Sequence, residues 1–309
     1  MLEILGITAP IFILIGIGYL SARGRLVNPE QVLGLGKFVI TFALPALVIR
    51  ALLEKPLDQV FDATYLLAYG IGSQAVFWGG FLFSRWIRKD SVTGSALSGL
   101  GMSVSNSGFI GYPIVAMVLG APAAVALALG MLVENLLMIP LALAIAELGR
   151  QNGGSLRAAL LDTFMRLLRN PIIIAISIGL ALALLGVRLP AVPARVVEML
   201  ASASAPVALF VIGASLYGLK AGGLVKDVAQ LSIGKLLLHP LAVWLSFQLL
   251  PPVDPVLRVA GVLFACAPMM SIYPILGQRF GLEGRCAAAL VVCTVLAFVT
   301  ISSFLGLLV

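Results

Sequence analysis

Shifted against itself by 161 residues (171 − 10), the chain lays prolines on prolines: Pro10 on Pro171, Pro29 on Pro190, Pro45 on Pro206 and Pro113 on Pro274. The flanks agree as well. Pro10-Ile11-Phe12-Ile13-Leu14-Ile15 lies on Pro171-Ile172-Ile173-Ile174-Ala175-Ile176, and Tyr112-Pro113-Ile114 on Tyr273-Pro274-Ile275, with Gly120 and Gly281 at equal distances beyond. Proline fixes φ and removes a backbone donor. A chain interrupted at matching places in two halves is therefore expected to hold two repeats of one design, the pattern of secondary transporters.

Composition names the solvent. With 61% hydrophobic and only 11% charged residues, the chain cannot cover a water-facing surface, so lipid is expected around it. The apolar runs are continuous rather than alternating, which excludes an outer-membrane barrel and predicts an all-α polytopic fold. At about 20 residues per span, ten transmembrane helices are expected, at 4–21, 32–53, 63–84, 93–119, 123–147, 170–187, 196–218, 228–250, 256–279 and 285–308. The N-terminus carries Glu3 where a signal peptide would be basic, and its apolar core recurs inside the chain, so it reads as the first span. Cys266, Cys286 and Cys293 fall within spans without ligand spacing, so neither a disulfide framework, a metal site nor any cofactor is expected.

Basic residues set the orientation. After odd-numbered spans stand Arg23 and Arg25; Arg85, Arg88 and Lys89; Arg150, Arg157, Arg166 and Arg169; Lys220 and Lys226; Arg279 and Arg285. After even-numbered spans stand only Arg50, Lys55, Arg188, Arg195 and Arg258. Because Lys and Arg stay on the cytoplasmic side, the odd loops are expected inside and both termini outside, in the cell inner (plasma) membrane. The net charge of +7 is then topological and calls for no nucleic-acid partner. Residues 149–169, with Asn152-Gly153-Gly154-Ser155, form a polar cytoplasmic linker between a first five-helix repeat (1–148) and a second (170–309). Five is odd, so the second repeat must enter the membrane inverted, and inverted repeats give two near-equivalent packings, the basis of alternating access.

The fourth and ninth spans are expected to be broken and to cross. Ser103-Val104-Ser105-Asn106-Ser107-Gly108 sits where mid-bilayer falls, with Pro113 beyond it; the ninth span repeats the theme with Ala267-Pro268-Met269-Met270-Ser271-Ile272-Tyr273-Pro274. Pro113, Pro268 and Pro274 are the expected helix breakers. Backbone groups freed there must line an enclosed or watery cavity, because lipid offers them no partner. Two crossing half-helix N-termini, each about half a positive charge, favour an anion at that point.

With these residues the chain resembles the auxin efflux carrier family, the bacterial permeases related to the plant PIN-type carriers. Asn106-Ser107-Gly108-Phe109-Ile110-Gly111-Tyr112-Pro113 is like the family's crossover motif, an Asn seven positions before a Pro, joined by Ala267 to Pro274 and by Gly277-Gln278-Arg279-Phe280-Gly281. The resemblance covers essentially the whole chain. It implies ten helices in two inverted repeats, a scaffold of spans 1, 2, 6 and 7, and a transport domain of spans 3–5 and 8–10. It implies organic-anion substrates, carboxylates such as malonate or malate in bacteria, with Asn106 meeting the carboxylate and a homodimer formed through the scaffold. The chain departs from the plant carriers in lacking their long central loop, and Met269-Met270 stand in place of more polar residues.

The expected substrate-binding set is thus Asn106, Ser105, Ser107, Gly108, Met269, Met270 and Ser271. Intramembrane amides are costly enough to imply a role, although Asn106 could also cap the broken helix, and the serines could bond to their own helix. Glu134-Asn135 in the fifth span is a candidate for H+ or Na+ coupling, or else a carboxyl that steadies the crossover. His239, aligned with Trp78, is a further candidate for gating or proton transfer, with a packing role as the alternative. Lys37 and Lys235 are expected to snorkel to the interface, Gln74 to line a cavity, and Arg279 to anchor the cytoplasmic side or guide anions. No HExxH, GxxxxGK[ST] or GxSxG is present, so the residues point away from an enzyme and an intramembrane hydrolase is the remote alternative. An anion-conducting channel is the nearer one, since broken helices also line pores. The reading is an elevator-type carrier of small organic anions, with malonate-like dicarboxylates as the expected substrates, in the lipid bilayer.

Overall fold

An asparagine or aspartate set before a proline starts three of the helices. The Asn28, Asn170 and Asp254 side chains accept hydrogen bonds from Gln31 N–H (2.9 Å), Ile172 N–H (2.9 Å) and Val256 N–H (2.8 Å). Each proline that follows occupies a first-turn position whose missing donor costs nothing. Gln31 closes a capping box back onto Asn28. The first of these starts places the second apolar helix at residue 29, earlier than hydropathy suggests, because a capped first turn need not be apolar.

The computed structural model describes residues 2–54, 62–149, 165, 168–187, 189–217 and 225–308. The expected linker sequence Asn152-Gly153-Gly154-Ser155 and the basic residues Lys55, Arg150, Arg157, Arg166, Arg188 and Lys220 lie outside the described residues. Among the described residues the chain is helical, with one isolated antiparallel bridge. The helices are α1 Leu2–Arg23, α2 29–54, α3 Ala63–Ile87, α4 Val92–Ser103, α5 Ser107–Leu119, α6 Pro122–Leu148, α7 Pro171–Leu184, α8 Ala191–Leu216, α9 Val225–Leu249, α10 Pro255–Cys266, α11 Tyr273–Gln278 and α12 Glu283–Leu308. Six are long and apolar enough to cross a bilayer: α2, α3, α6, α8, α9 and α12. The expected fourth span is divided into α4 and α5, and the expected ninth into α10 and α11.

The internal match recurs in the backbone. Gly120 (φ 68°) and Gly281 (φ 71°) end α5 and follow α11 in the left-handed region, and Arg25 (φ 59°) pairs with Gly186 (φ 64°) at the same shift. Pro113 and Pro274 each stand second in a helix, Tyr112–Leu119 and Tyr273–Gln278. Pro274 begins α11, whereas Pro113 follows the π turn Ser107–Gly111 within α5; the interruptions lie upstream of both, at 104–106 and 267–272. Pro268 lies inside the second interruption.

Two compact units divide the chain. One gathers α1, α2, Gly108–Leu129, α7 and α8. There Gly18 abuts the backbone of Phe210 and Gly213 that of Ile15, so α1 and α8 approach backbone to backbone. Such approach is how membrane helices gain dispersion energy without a hydrophobic drive. Leu52 of α2 packs on Gly179 of α7.

The other unit gathers α3, α4, the second half of α6, and α9 to α12. Thr93 Oγ1 donates to the Ala146 carbonyl at 2.8 Å, joining α4 to α6. At one end of this unit Arg285 reaches Asp90 (2.9 Å), Ser98 (2.9 Å) and Asp227 (3.6 Å), and Arg88 also pairs with Asp227. Gly72 of α3 faces Val243 of α9 so closely that an added Cβ would stand 2.6 Å from the Val243 Cα, whereas Gly79 has nothing within 4 Å. Gly72→Ala is therefore expected to cost about 1–3 kcal/mol by overpacking and to lower Tm in detergent. Gly79→Ala should leave it unchanged; equal Tm values for the two variants would refute the backbone contact.

Candidate functional site

An interrupted helix leaves the last carbonyls of its first half and the first N–H groups of its second half without partners, and in hydrocarbon each orphan costs several kcal/mol. The site is best built by finding where those groups go. After α4 the chain turns extended at Val104 (φ −117°, ψ 134°), and after α10 it does so at Ala267 (φ −61°, ψ 148°). The two extended segments pair antiparallel, Ser105 against Met269. Asn106 N–H donates to the Pro268 carbonyl at 2.7 Å, and Asn106 Nδ2 donates to Ser271 Oγ at 2.6 Å. The crossover thus has a short sheet-like stitch at its centre, with Asn106 making both a backbone and a side-chain bond across it.

Two donors at the first interruption and one from α3 converge on one acid. Glu134 Oε1 accepts from Ser105 N–H (3.2 Å), Ser107 Oγ–H (2.9 Å) and the Tyr69 hydroxyl (3.0 Å), and the side chain is buried. A carboxylate oxygen with three donors is strongly held. The carboxylate stands where the N-terminus of α5 attracts negative charge. Asn135 turns back on its own helix, Nδ2 donating to Met131 O at 2.9 Å.

Long side chains reach carbonyls of both first halves, and of these the Ala265 carbonyl lies in the last turn of α10. Tyr273 OH donates to Leu97 O of α4 at 2.8 Å. Lys235 Nζ donates to Ala265 O of α10 at 2.7 Å and stands 2.9 Å from His239 Nδ1. His239 Nε2 in turn meets Ser73 Oγ at 2.9 Å, and Tyr69 stands edge-on to the imidazole at 6.0 Å. Lys235 is fully buried, which overturns the expectation that it snorkels. It lies ten residues into α9 (235 − 225), roughly 15 Å along the axis, too far from the helix start for its stem to regain water. Lys37, by contrast, is exposed.

Local helix geometry delivers both buried charges. Glu134 lies in the π-helical turn Val133–Met138 and Lys235 in Gly234–Leu238, while Ser107 opens a third, Ser107–Gly111. A π turn inserts one residue and rotates the rest of its helix about the axis, and such turns gather at functional sites.

The expected residues Ser105, Asn106, Met269 and Ser271 are thus brought together, and Ser107 is joined to them through Glu134. Met270 is buried and its carbonyl accepts from Tyr273 N–H at 3.0 Å; Gly108 is buried in the π turn after Ser107. Gln74 Nε2 contacts Met138 Sδ at 3.2 Å, and Arg279 pairs with Glu147 at 3.2 Å. Sequence reasoning missed Tyr69, Ser73 and Lys235. A signal for Lys235 existed: it stands four residues before His239, so the two share one face of an apolar helix.

Comparison with known proteins agrees across the chain. The family model described as "Membrane transport protein" matches residues 4–305. A Rhizobium meliloti protein named "Putative malonate transporter" is 28% identical over 310 aligned positions, covering 100% of this chain and 97% of its own. An Escherichia coli K12 protein named "Uncharacterized transporter YfdV" is 25% identical over 302, covering 96% of this chain and 94% of its own. The mouse "Lysosomal cholesterol signaling protein" is 26% identical over 286 residues, 86% of this chain but 33% of that longer protein.

Glu134→Ala strips three donors of their acceptor and Tyr69→Phe removes one donor only. At about 1–3 kcal/mol for each buried orphan, Glu134→Ala should lower Tm in detergent well beyond Tyr69→Phe. Equal shifts would show that Glu134 does not hold the crossover.

Proposed function

The chain belongs to the auxin efflux carrier family of membrane transport proteins, and on that premise we propose that it is a secondary carrier of small organic anions, with dicarboxylates of malonate size as the favoured substrates. It is a multi-pass membrane protein. The observation that carries the reading is the crossover itself, where two interrupted helices are stitched together at Asn106 and Ser271. Discontinuous helices are how transporters place polar groups within a bilayer. The name of the Rhizobium meliloti relative supports the choice of malonate.

In the proposed mechanism, a substrate carboxylate meets the second N–H of the Asn106 amide and the Ser271 hydroxyl beside it. Asn106 has that capacity, since a primary amide carries two donors and Ser271 engages one. Glu134 keeps Ser105 and Ser107 in place so that the amide is presented in one orientation. The ten-helix inverted repeat remains the proposed topology, supported by left-handed positions recurring at the repeat spacing. Elevator-type movement is proposed for the transport domain of spans 3–5 and 8–10 against the scaffold of spans 1, 2, 6 and 7. The division of the chain into two compact units supports separate bodies for such movement. The plasma membrane, outward termini and a scaffold homodimer complete the proposal.

The protein in proteoliposomes should take up labelled malonate saturably, and internal malonate should accelerate entry. Flux that neither saturates nor responds to internal substrate would mark a channel and overturn the carrier. Asn106→Ala should lower uptake about tenfold or more, the loss of one hydrogen bond to a charged group. For Glu134, the positioning role predicts that Glu134→Gln slows uptake yet keeps its pH dependence; a flat pH profile would make Glu134 the proton carrier instead.

A further inference from the structure

The crossover region encloses a cation of the protein's own. Lys235 Nζ sits 2.7 Å from the carbonyl of Ala265, in the last turn of α10 immediately before the second interruption. Carbonyls in the last turn of a helix have no intrahelical partners and together make its negative pole, which stabilises positive charge. The same ammonium stands 2.9 Å from His239 Nδ1, and Tyr69, whose hydroxyl donates to Glu134, stands edge-on to that imidazole at 6.0 Å. Lys235 is fully buried and Glu134 nearly so. A carbonyl at the end of a half-helix, with a carboxylate close by and lipid around, is the setting in which transporters bind a coupling cation.

We propose that the Lys235 ammonium permanently occupies the place of a coupling cation beneath the crossover, so that this protein binds and moves its substrate without sodium. The proposal rests on the carrier reading above for its meaning in transport, but the occupancy it asserts is a property of the resting protein. A tethered ammonium cannot dissociate and reload, so it keeps the negative end of α10 satisfied without a free cation. Coupling to a sodium gradient is thereby removed. Lys235 acts here as a positioning residue, holding Ala265 and, through His239, Ser73.

The test needs no substrate. Tm of the purified full chain is measured in choline chloride, sodium chloride and methylammonium chloride at equal ionic strength. Wild type should be indifferent to the choice. Lys235→Ala, which removes the ammonium and opens its space, should lose on the order of 5–10 °C in choline, as a carboxylate left without its buried partner does. Methylammonium, and more weakly sodium, should restore the loss saturably, as ligand linkage requires. Lys235→Met fills the space without charge and should respond to neither cation. Sodium stabilisation of wild type, no recovery of Lys235→Ala in either cation, or equal recovery of Lys235→Met would each overturn the proposal. So would a Lys235→Ala protein that fails to fold even when expressed and purified in methylammonium. Failure of wild type to take up any carboxylate would instead sink the carrier reading and leave these outcomes untouched.

Discussion

Backbone polarity inside hydrocarbon is the constraint on which the rest of this structure depends. Two helices stop mid-course, and lipid cannot accept or donate a single hydrogen bond to the ends they leave. The protein answers within itself. Ser105 and Met269 pair the extended segments, and Asn106 N–H reaches Pro268 O. Lys235 donates to the orphaned Ala265 carbonyl, Glu134 accepts from Ser105 N–H, and Tyr273 OH ties α11 to Leu97 O of α4. Every one of these contacts is between residues far apart in the chain.

The pattern has an electrostatic sense. Helix ends carry opposite partial charges, and a carboxylate stands at the donor end of one interruption and an ammonium at the acceptor end of the other. Each buried ion alone would cost several kcal/mol; near each other and hydrogen-bonded, they are tolerable. Such an arrangement favours a fixed shape of the crossover over raw stability. It also leaves Asn106 and Ser271 as the polar pair not committed to an ion, which is why a carboxylate substrate is placed there.

Much of this was legible without coordinates. The helical class, the interruptions near Asn106 and Met269-Met270, and the pairing of Pro113 with Pro274 all came from local pattern: apolar run length, proline and the internal shift. Glu134 stood out because an acid within an apolar run is costly. Its three donors did not, since hydrogen-bond partners at distant positions leave no periodic trace. Lys235 was misplaced for a related reason. A lysine near the expected start of a span normally snorkels, and only the depth of residue 235 along α9, with the π turn that aims it, reverses that. Pro274 is expected to break a helix and instead starts one, because proline's missing N–H is harmless in a first turn, while Pro113 sits within α5 just after its π turn.

The sequence by itself determined the solvent, the helical class, the places where helices must fail, and the family. These come from composition and from residues adjacent in the chain, whose physics is local. The tertiary structure alone decided who satisfies the broken ends: Glu134 rather than a solute for the first interruption's donors, and Lys235 rather than water for the Ala265 carbonyl. Those choices depend on helix rotation and depth, which π turns alter by single residues and which no periodicity in the chain records.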